Sequence, residues 1–113
     1  MLKRIRKYIY DRYRGIEENE INYNKAIGLQ KKGAILLDVR SPKEYSEGHL
    51  NGAILLPEYE IKQKVLQMIP NKDKEIIVYC KSGVRGKNAA YILKQLGYKN
   101  IYNFHNGLYG INM

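Results

Sequence analysis

One cysteine, one phenylalanine, three prolines, two histidines and no tryptophan occur in the 113 residues of this chain. A lone thiol forms no internal disulfide and supplies no thiolate cluster for zinc or an iron–sulfur centre, so Cys80 acts alone if it acts at all. No run approaches the ~18–20 consecutive apolar residues of a membrane-spanning helix. The N-terminus also lacks the apolar core and small-residue cleavage site of a secretory signal. These absences favour a reducing compartment, and a cytoplasmic location is the expectation. Acidic side chains are scarce too: 11 Asp and Glu stand against 20 Lys and Arg, a net charge of +9.

What is present argues for a folded domain. Hydrophobic residues make up 44% of the chain and 11 are tyrosines, which is not the composition of a disordered segment. The length suits one compact domain, whose usual size is ~100–150 residues. The charge is uneven: residues 1–14 carry six basic side chains against Asp11, a net of +5, and Glu17, Glu18 and Glu20 follow at once. A basic chain concentrates anions, whether nucleic acid, acidic lipid or a small substrate. No Lys/Arg tract is interleaved with stacking aromatics in the manner of single-strand binders, so nucleic-acid binding is not expected.

Leu2, Ile5, Ile9, Tyr13 and Ile16 recur at helical spacing, with Lys3, Arg4, Lys7 and Arg14 mostly off that face. A basic amphipathic helix over residues 2–16 can lie on an acidic membrane surface, although packing on its own domain is the commoner fate. The expected division is a basic helical extension over 1–19 and a domain over 20–113. Within the domain, strand and helix patterns alternate. Residues 23–32 predict a short helix, and Ala34–Leu37 a strand covered on both faces. Ser41-Pro42-Lys43-Glu44 predicts a helix start, with Ser41 as N-cap, Pro42 at the first position and Glu44 closing a capping box. Ala53–Leu56 reads as a second buried strand, and Ile61, Val65, Leu66 and Ile69 as the apolar face of a helix ending at Pro70. Ile76–Tyr79 is the third buried strand. Ala89, Ile92, Leu93 and Leu96 mark an amphipathic helix closed by Gly97, and Asn100–Phe104 a last strand. Repeated strand–helix–strand order means an α/β fold, a small parallel sheet with helices on both faces.

In such a sheet ligands bind beyond the carboxyl ends of the strands. There the chain runs Cys80-Lys81-Ser82-Gly83-Val84-Arg85-Gly86 directly into a helix pattern. The unpaired N–H groups and dipole of a helix start stabilise an anion, and Lys81 and Arg85 act in the same sense. The loop therefore suits a nucleophilic thiolate. Gly83 and Gly86 allow successive N–H groups to converge on one point, an anion-binding nest. Arg85 can take an oxyanion in its fork or brace the loop. A lone cysteine after an apolar strand is more often a small buried hydrophobe; the glycine-rich, basic, strand-to-helix setting reverses that preference.

Asp38-Val39-Arg40-Ser41-Pro42-Lys43-Glu44-Tyr45, then Gly48-His49-Leu50-Asn51-Gly52-Ala53, resembles the N-terminal signature of the rhodanese homology domain, the family of single-domain thiosulfate sulfurtransferases. Val78 to Arg85 resembles its active-site loop. Leu96-Gly97-Tyr98 and Asn106-Gly107-Leu108 fall where the family has its closing turns. The resemblance implies a rhodanese-like fold and a sulfurtransferase. Cys80 would attack the sulfane sulfur of a donor such as thiosulfate, release sulfite, and pass the sulfur from a Cys80 persulfide to cyanide or a thiol in ping-pong order. It also implies that the backbone N–H groups of Lys81, Ser82, Gly83, Val84, Arg85 and Gly86 cradle the persulfide, with Lys81 and Arg85 meeting the anionic donor. Related phosphatases and arsenate reductases place five residues between Cys and Arg; here four intervene, a ring sized for one sulfur atom.

Some positions depart from the family pattern. Lys81 stands where many active members have Arg, and Gly86 where a Thr or Ser hydroxyl is common. Leu55 replaces the Asn that often precedes the Ile-Pro turn, and the C-terminal Gly-Gly-aromatic pattern is reduced to Asn106-Gly107. Asp38 and Arg40, at a strand end near Cys80, are candidate substrate contacts or, as the favoured reading, a hydrogen-bonded brace with Glu44. His49 is a candidate general base, although in its turn it more naturally bonds backbone and orders the loop. His105 lacks metal-ligand spacing and no glycine loop matches a nucleotide site, so neither metal nor cofactor is expected. The expected partners are a small anionic sulfur donor and a thiol acceptor, including a sulfur-accepting protein. A non-catalytic binding or regulatory module and a protein-to-protein sulfur carrier are the alternatives, and the presence of Cys80 favours the enzyme.

Overall fold

Apolar side chains at alternate strand positions and at every third or fourth helix position sort this chain into three layers. The computed structural model describes residues 19–104 and residue 108. Its elements are β1 (Glu20–Ile21), α1 (Tyr23–Lys31), β2 (Ile35–Asp38), α2 (Pro42–Glu47), β3 (Ile54–Leu55), a 3₁₀ turn (Glu58–Glu60), α3 (Ile61–Met68), β4 (Ile76–Tyr79), α4 (Val84–Gln95) and β5 (Ile101–Phe104). The strands form one sheet in the order β1-β5-β4-β2-β3, and all four pairings are parallel. The basic helix expected over residues 2–16 and the closing turn at Asn106-Gly107 lie outside the described residues.

Period-two alternation divides the core. Leu37, Val39, Ile76, Val78, Cys80 and Ile101 face one side, where Ile61 and Val65 of α3 and Ala89, Ala90 and Leu93 of α4 cover them. Leu36, Ile77, Tyr79 and Phe104 face the other side, against Ala26 of α1. Helices therefore cover both faces, as the strand–helix–strand order requires. Each fully buried Leu or Ile in these layers contributes about 1.5–3 kcal/mol relative to an exposed one.

The local signals at α1 and α2 act as their chemistry dictates. Asn22 caps α1, its Oδ1 accepting the Lys25 N–H at 2.9 Å. At α2 the Glu44 N–H donates to Ser41 Oγ at 3.2 Å and the Ser41 N–H donates back to Glu44 Oε1 at 3.2 Å, a complete capping box.

Three expectations need correction, and one strand carries no sequence signal. The segment Ala53–Leu56 is not a fully buried strand: β3 is a two-residue edge with Ile54 47% exposed, because it pairs with β2 alone. Leu66 is 60% exposed, since Ile61, Val65 and Ile69 form the buried line at every fourth position and leave Leu66 turned away. β1 was not anticipated, since a two-residue strand carrying Glu20 has no readable period. Finally, α4 begins at Val84, inside the stretch read as loop, so Arg85 and Gly86 belong to its first turn.

Candidate active site

β2 and β4 are neighbours in register, with Asp38 opposite Tyr79, so their carboxyl ends lie side by side at the middle of the sheet. Cys80 follows β4 and starts the loop into α4. The Gly83 N–H donates to Cys80 Sγ at 2.9 Å and the Gly86 N–H donates to it at 3.3 Å. Both N–H groups and the start of a twelve-residue helix turn their positive ends toward the sulfur. Gly83 makes the arrangement possible: its φ of 95° lies in the left-handed region that residues with a Cβ disfavour. The sulfur sits at the floor of the loop, 0% exposed and continuous with the apolar layer under α4. A merely structural cysteine would share that burial, but not the two converging N–H groups.

Arg85 is bound on the protein side. Its Nη1 donates to Glu44 Oε1 at 2.6 Å and its Nη2 to Glu44 Oε2 at 2.9 Å, a forked pair between α4 and α2. The fork that could receive an oxyanion is filled by a carboxylate, so of the two roles open to Arg85 this geometry is the loop brace. Glu44 is thereby placed with Arg85 and not in a common hydrogen-bonded set with Asp38 and Arg40, which corrects the favoured grouping. The Arg85 guanidinium, aided by Ser41 and opposed by partial burial, holds the Glu44 carboxyl at about 2, against its usual 4.5. A lowered folded-state value means that the pair contributes stability above pH 4.5, lost as pH falls from there to about 2. Wild type should therefore lose stability through that window more steeply than Glu44→Gln. Urea midpoints compared across the window check this, and parallel curves would show that the pair contributes nothing.

Asp38 and Arg40 form a second, deeper pair. Asp38 Oδ2 accepts from Arg40 Nη2 at 2.7 Å, while Oδ1 accepts from Arg40 Nε at 2.9 Å and from the Arg40 N–H at 3.0 Å. Arg40 Nη2 also donates to the Gly48 carbonyl at 2.7 Å. The hydrogen bonds to Asp38 raise the Arg40 value further above its ordinary range. Tyr79 completes the set: its hydroxyl donates to Asp38 Oδ2 at 2.7 Å and accepts the Leu50 N–H at 3.0 Å. Burial above all, with the Asp38 carboxylate, pushes the Tyr79 phenol well up. The strand pattern predicts Tyr79 only as core; the signal for its second role is a tyrosine at a strand end, whose buried hydroxyl ordinarily finds a partner. Tyr79→Phe leaves a buried carboxylate oxygen and the Leu50 N–H each short of one bond, so it should cost about 1–3 kcal/mol in urea unfolding. A cost near zero would show that water replaces the hydroxyl.

His49 orders its turn. Nδ1 lies 2.9 Å from the Tyr45 carbonyl and the imidazole stacks on the Tyr45 ring with centroids 3.6 Å apart. Tyr45 in turn donates from its hydroxyl to the Ala53 carbonyl at 2.8 Å. A cleft of about 510 Å³ opens at this end of the sheet, lined by Arg40, Glu44, His49, Lys81 and Leu108, among others. Leu108 is tied to the Cys80 loop, its N–H donating to the Cys80 carbonyl at 2.9 Å. The tertiary structure thus brings Arg40, Glu44, His49 and Lys81 to one cleft, with Asp38 beside the end of β4 that precedes Cys80 and Arg85 joined to Glu44. Ser82 and Val84 are exposed on the outer side of the loop. Among the described residues no three His, Cys, Asp or Glu side chains are grouped to hold a metal ion, and no helix is long and apolar enough to cross a membrane.

The fold that carries this loop is shared with known proteins. The Rhodanese-like domain family matches residues 23–113, and the chain belongs to that family. It is 36% identical over 67 residues to the thiosulfate sulfurtransferase PspE of Escherichia coli, covering 59% of this chain and 64% of that protein. It is 31% identical over 84 residues to the tRNA uridine(34) hydroxylase of Buchnera aphidicola, covering 71% of this chain but 27% of that protein. The chain thus spans less than two thirds of both relatives. Among solved structures, the human single-domain sulfurtransferase TSTD1 superposes with a TM-score of 0.70 at 26% identity, covering 79% of this chain and 90% of that one.

Proposed function

We propose that this protein is a sulfurtransferase that carries sulfane sulfur as a Cys80 persulfide. The observation that carries the reading is Cys80 Sγ accepting N–H groups from both Gly83 and Gly86 at the start of α4. In the first half-reaction the thiolate attacks the outer sulfur of thiosulfate; the new S–S bond forms as the old one breaks, and sulfite leaves with the bonding electron pair. In the second, an acceptor thiolate or cyanide attacks the outer sulfur of the persulfide and Cys80 leaves as thiolate. Two half-reactions through one covalent intermediate give ping-pong kinetics. The persulfide's outer sulfur stands one S–S bond, about 2.05 Å, beyond Sγ, which carries the reactive atom off the buried floor. The loop N–H groups meet its charge without reorganising, and Lys81 on the cleft wall meets the anionic donor.

Intact mass before and after thiosulfate, without reductant, tests this reading. Wild type should gain one sulfur atom and lose it again to cyanide or a small thiol. No gain with thiosulfate or other sulfane donors, on folded protein with a free thiol, would sink the enzyme reading and favour a binding or regulatory module. The net charge of +9 supports a second reading, a carrier that passes sulfur between proteins with its lysine-rich surface as the docking face. Persulfide formation with transfer only to a protein thiol would select that carrier role.

A further inference from the structure

Position 86 carries no side chain, and the volume a side chain would need is already taken. A Cβ on Gly86 would lie 2.4 Å from Asn103 Oδ1 and 3.4 Å from Asn103 Cγ. Asn103 belongs to β5, opposite Val78 of β4 on one side and Glu20 of β1 on the other. It is 1% exposed, and among the described residues neither end of its amide has a hydrogen-bond partner. Buried amides are ordinarily bonded, and an apolar group of the same shape would avoid the desolvation left uncompensated here. Such a residue calls for a reason, and its neighbour offers one. The residue packed against this amide, Gly86, is one of the two whose N–H groups donate to Cys80 Sγ.

We propose that Asn103 is a positioning residue for sulfur transfer: its amide, seated in the place of the missing side chain at Gly86, sets the first turn of α4 and so aims the Gly86 N–H at Cys80 Sγ. The proposal rests on the sulfurtransferase reading above. Of the two groups that meet charge on the sulfur, the Gly83 N–H is fixed by the left-handed turn at its own residue, and the Gly86 N–H is fixed by this contact. A carbonyl oxygen is narrower than a methyl group and accepts a close Cα–H, so an amide lets the glycine backbone approach where a leucine would hold it off. The next residue, Lys87, is fastened to the same edge of the sheet: its Nζ lies 3.3 Å from Glu20 Oε1, and Glu20 is the register partner of Asn103.

The test compares wild type, Asn103→Ala, Gly86→Ser and the double variant by two readouts. The first is the rate of alkylation of the sole thiol by iodoacetamide, which needs no sulfur donor. The second is sulfur uptake from thiosulfate by intact mass. Asn103→Ala should slow both by about tenfold, less than the ~100-fold typical of losing an oxyanion donor outright. A purely structural role predicts the opposite for alkylation, because loosening the fold exposes a buried thiol. Gly86→Ser should lose more than Asn103→Ala in the wild-type background and nothing further once Asn103 is alanine, because the space is then free. If Gly86→Ser alone does not fold, recovery of the fold in the double variant carries the same coupling. Alkylation of Asn103→Ala at or above the wild-type rate overturns the proposal, as does an equal cost of Gly86→Ser in both backgrounds or a double variant that does not fold. The expected alkylation pattern in a protein that takes up no sulfur would support the positioning of Cys80 while removing the sulfurtransferase reading.

Discussion

Cys80→Ser should abolish sulfur transfer while leaving the fold intact, a loss of at least about 10⁴-fold in turnover. Serine keeps an acceptor for the Gly83 and Gly86 N–H groups and is close in size to cysteine, so the floor of the loop stays filled. What it lacks is the polarisable sulfur nucleophile. The reading is unusually exposed to this experiment because the chain has no second cysteine to take over. Intact mass should show no added sulfur on the variant under conditions that load wild type. Steady-state turnover with thiosulfate and cyanide should fall to background, with unchanged unfolding by urea. Residual turnover above about one per cent of wild type would place the nucleophile elsewhere and discard the persulfide scheme.

The largest effect on stability is expected at Asp38. Its carboxylate is fully buried and accepts from Arg40 and from the Tyr79 hydroxyl. Among the described residues, Asp38→Ala leaves an almost wholly buried guanidinium with the Gly48 carbonyl as its remaining hydrogen-bond acceptor, and leaves Tyr79 without an acceptor. Breaking a buried pair by removing one partner costs about 3–5 kcal/mol, mostly as the penalty of the charge left behind. Against a typical domain stability of about 5–15 kcal/mol that is a severe loss. Asp38→Asn should fall between the two, since one oxygen still accepts while the charge is gone. Urea unfolding of the three proteins checks the order, and a cost below about 1 kcal/mol for Asp38→Ala would mean that water reaches Arg40. The same measurement separates a brace from a substrate contact. A brace lowers stability whatever donor is present, whereas a contact raises KM in a protein of unchanged stability.

These two sites differ in how much of each lies close together along the chain. Local hydrogen bonding and hydrophobic period determine most of the element order, so the strand at Ile76–Tyr79, the capping box at Ser41 and Glu44 and the helix over Ala89 to Leu93 were legible from neighbours a few residues apart. The thiol at a strand end before a glycine-rich helix start was legible for the same reason: its setting is local, and the chemistry of helix termini supplies the meaning. What the tertiary structure decided is everything that joins distant segments. Glu44 and Arg85 are 41 residues apart, as are Asp38 and Tyr79, and no spacing rule connects them. They meet because β4 lies between β2 and β5, which sets the ends of β2 and β4 side by side. Whether Glu44 would serve Arg40 or Arg85 depended on where α2 sits relative to the first turn of α4, a packing question. The exposure of Leu66 and of Ile54 was settled likewise, by which neighbour each element found. Asn103 shows the division most plainly: as a letter it is one polar residue in a short strand, and only the strand order places its amide under Gly86. Sequence carries the interactions whose partners are close along the chain, because backbone geometry fixes their spacing. Those between distant residues exist only once the sheet order has set which strand ends share an edge.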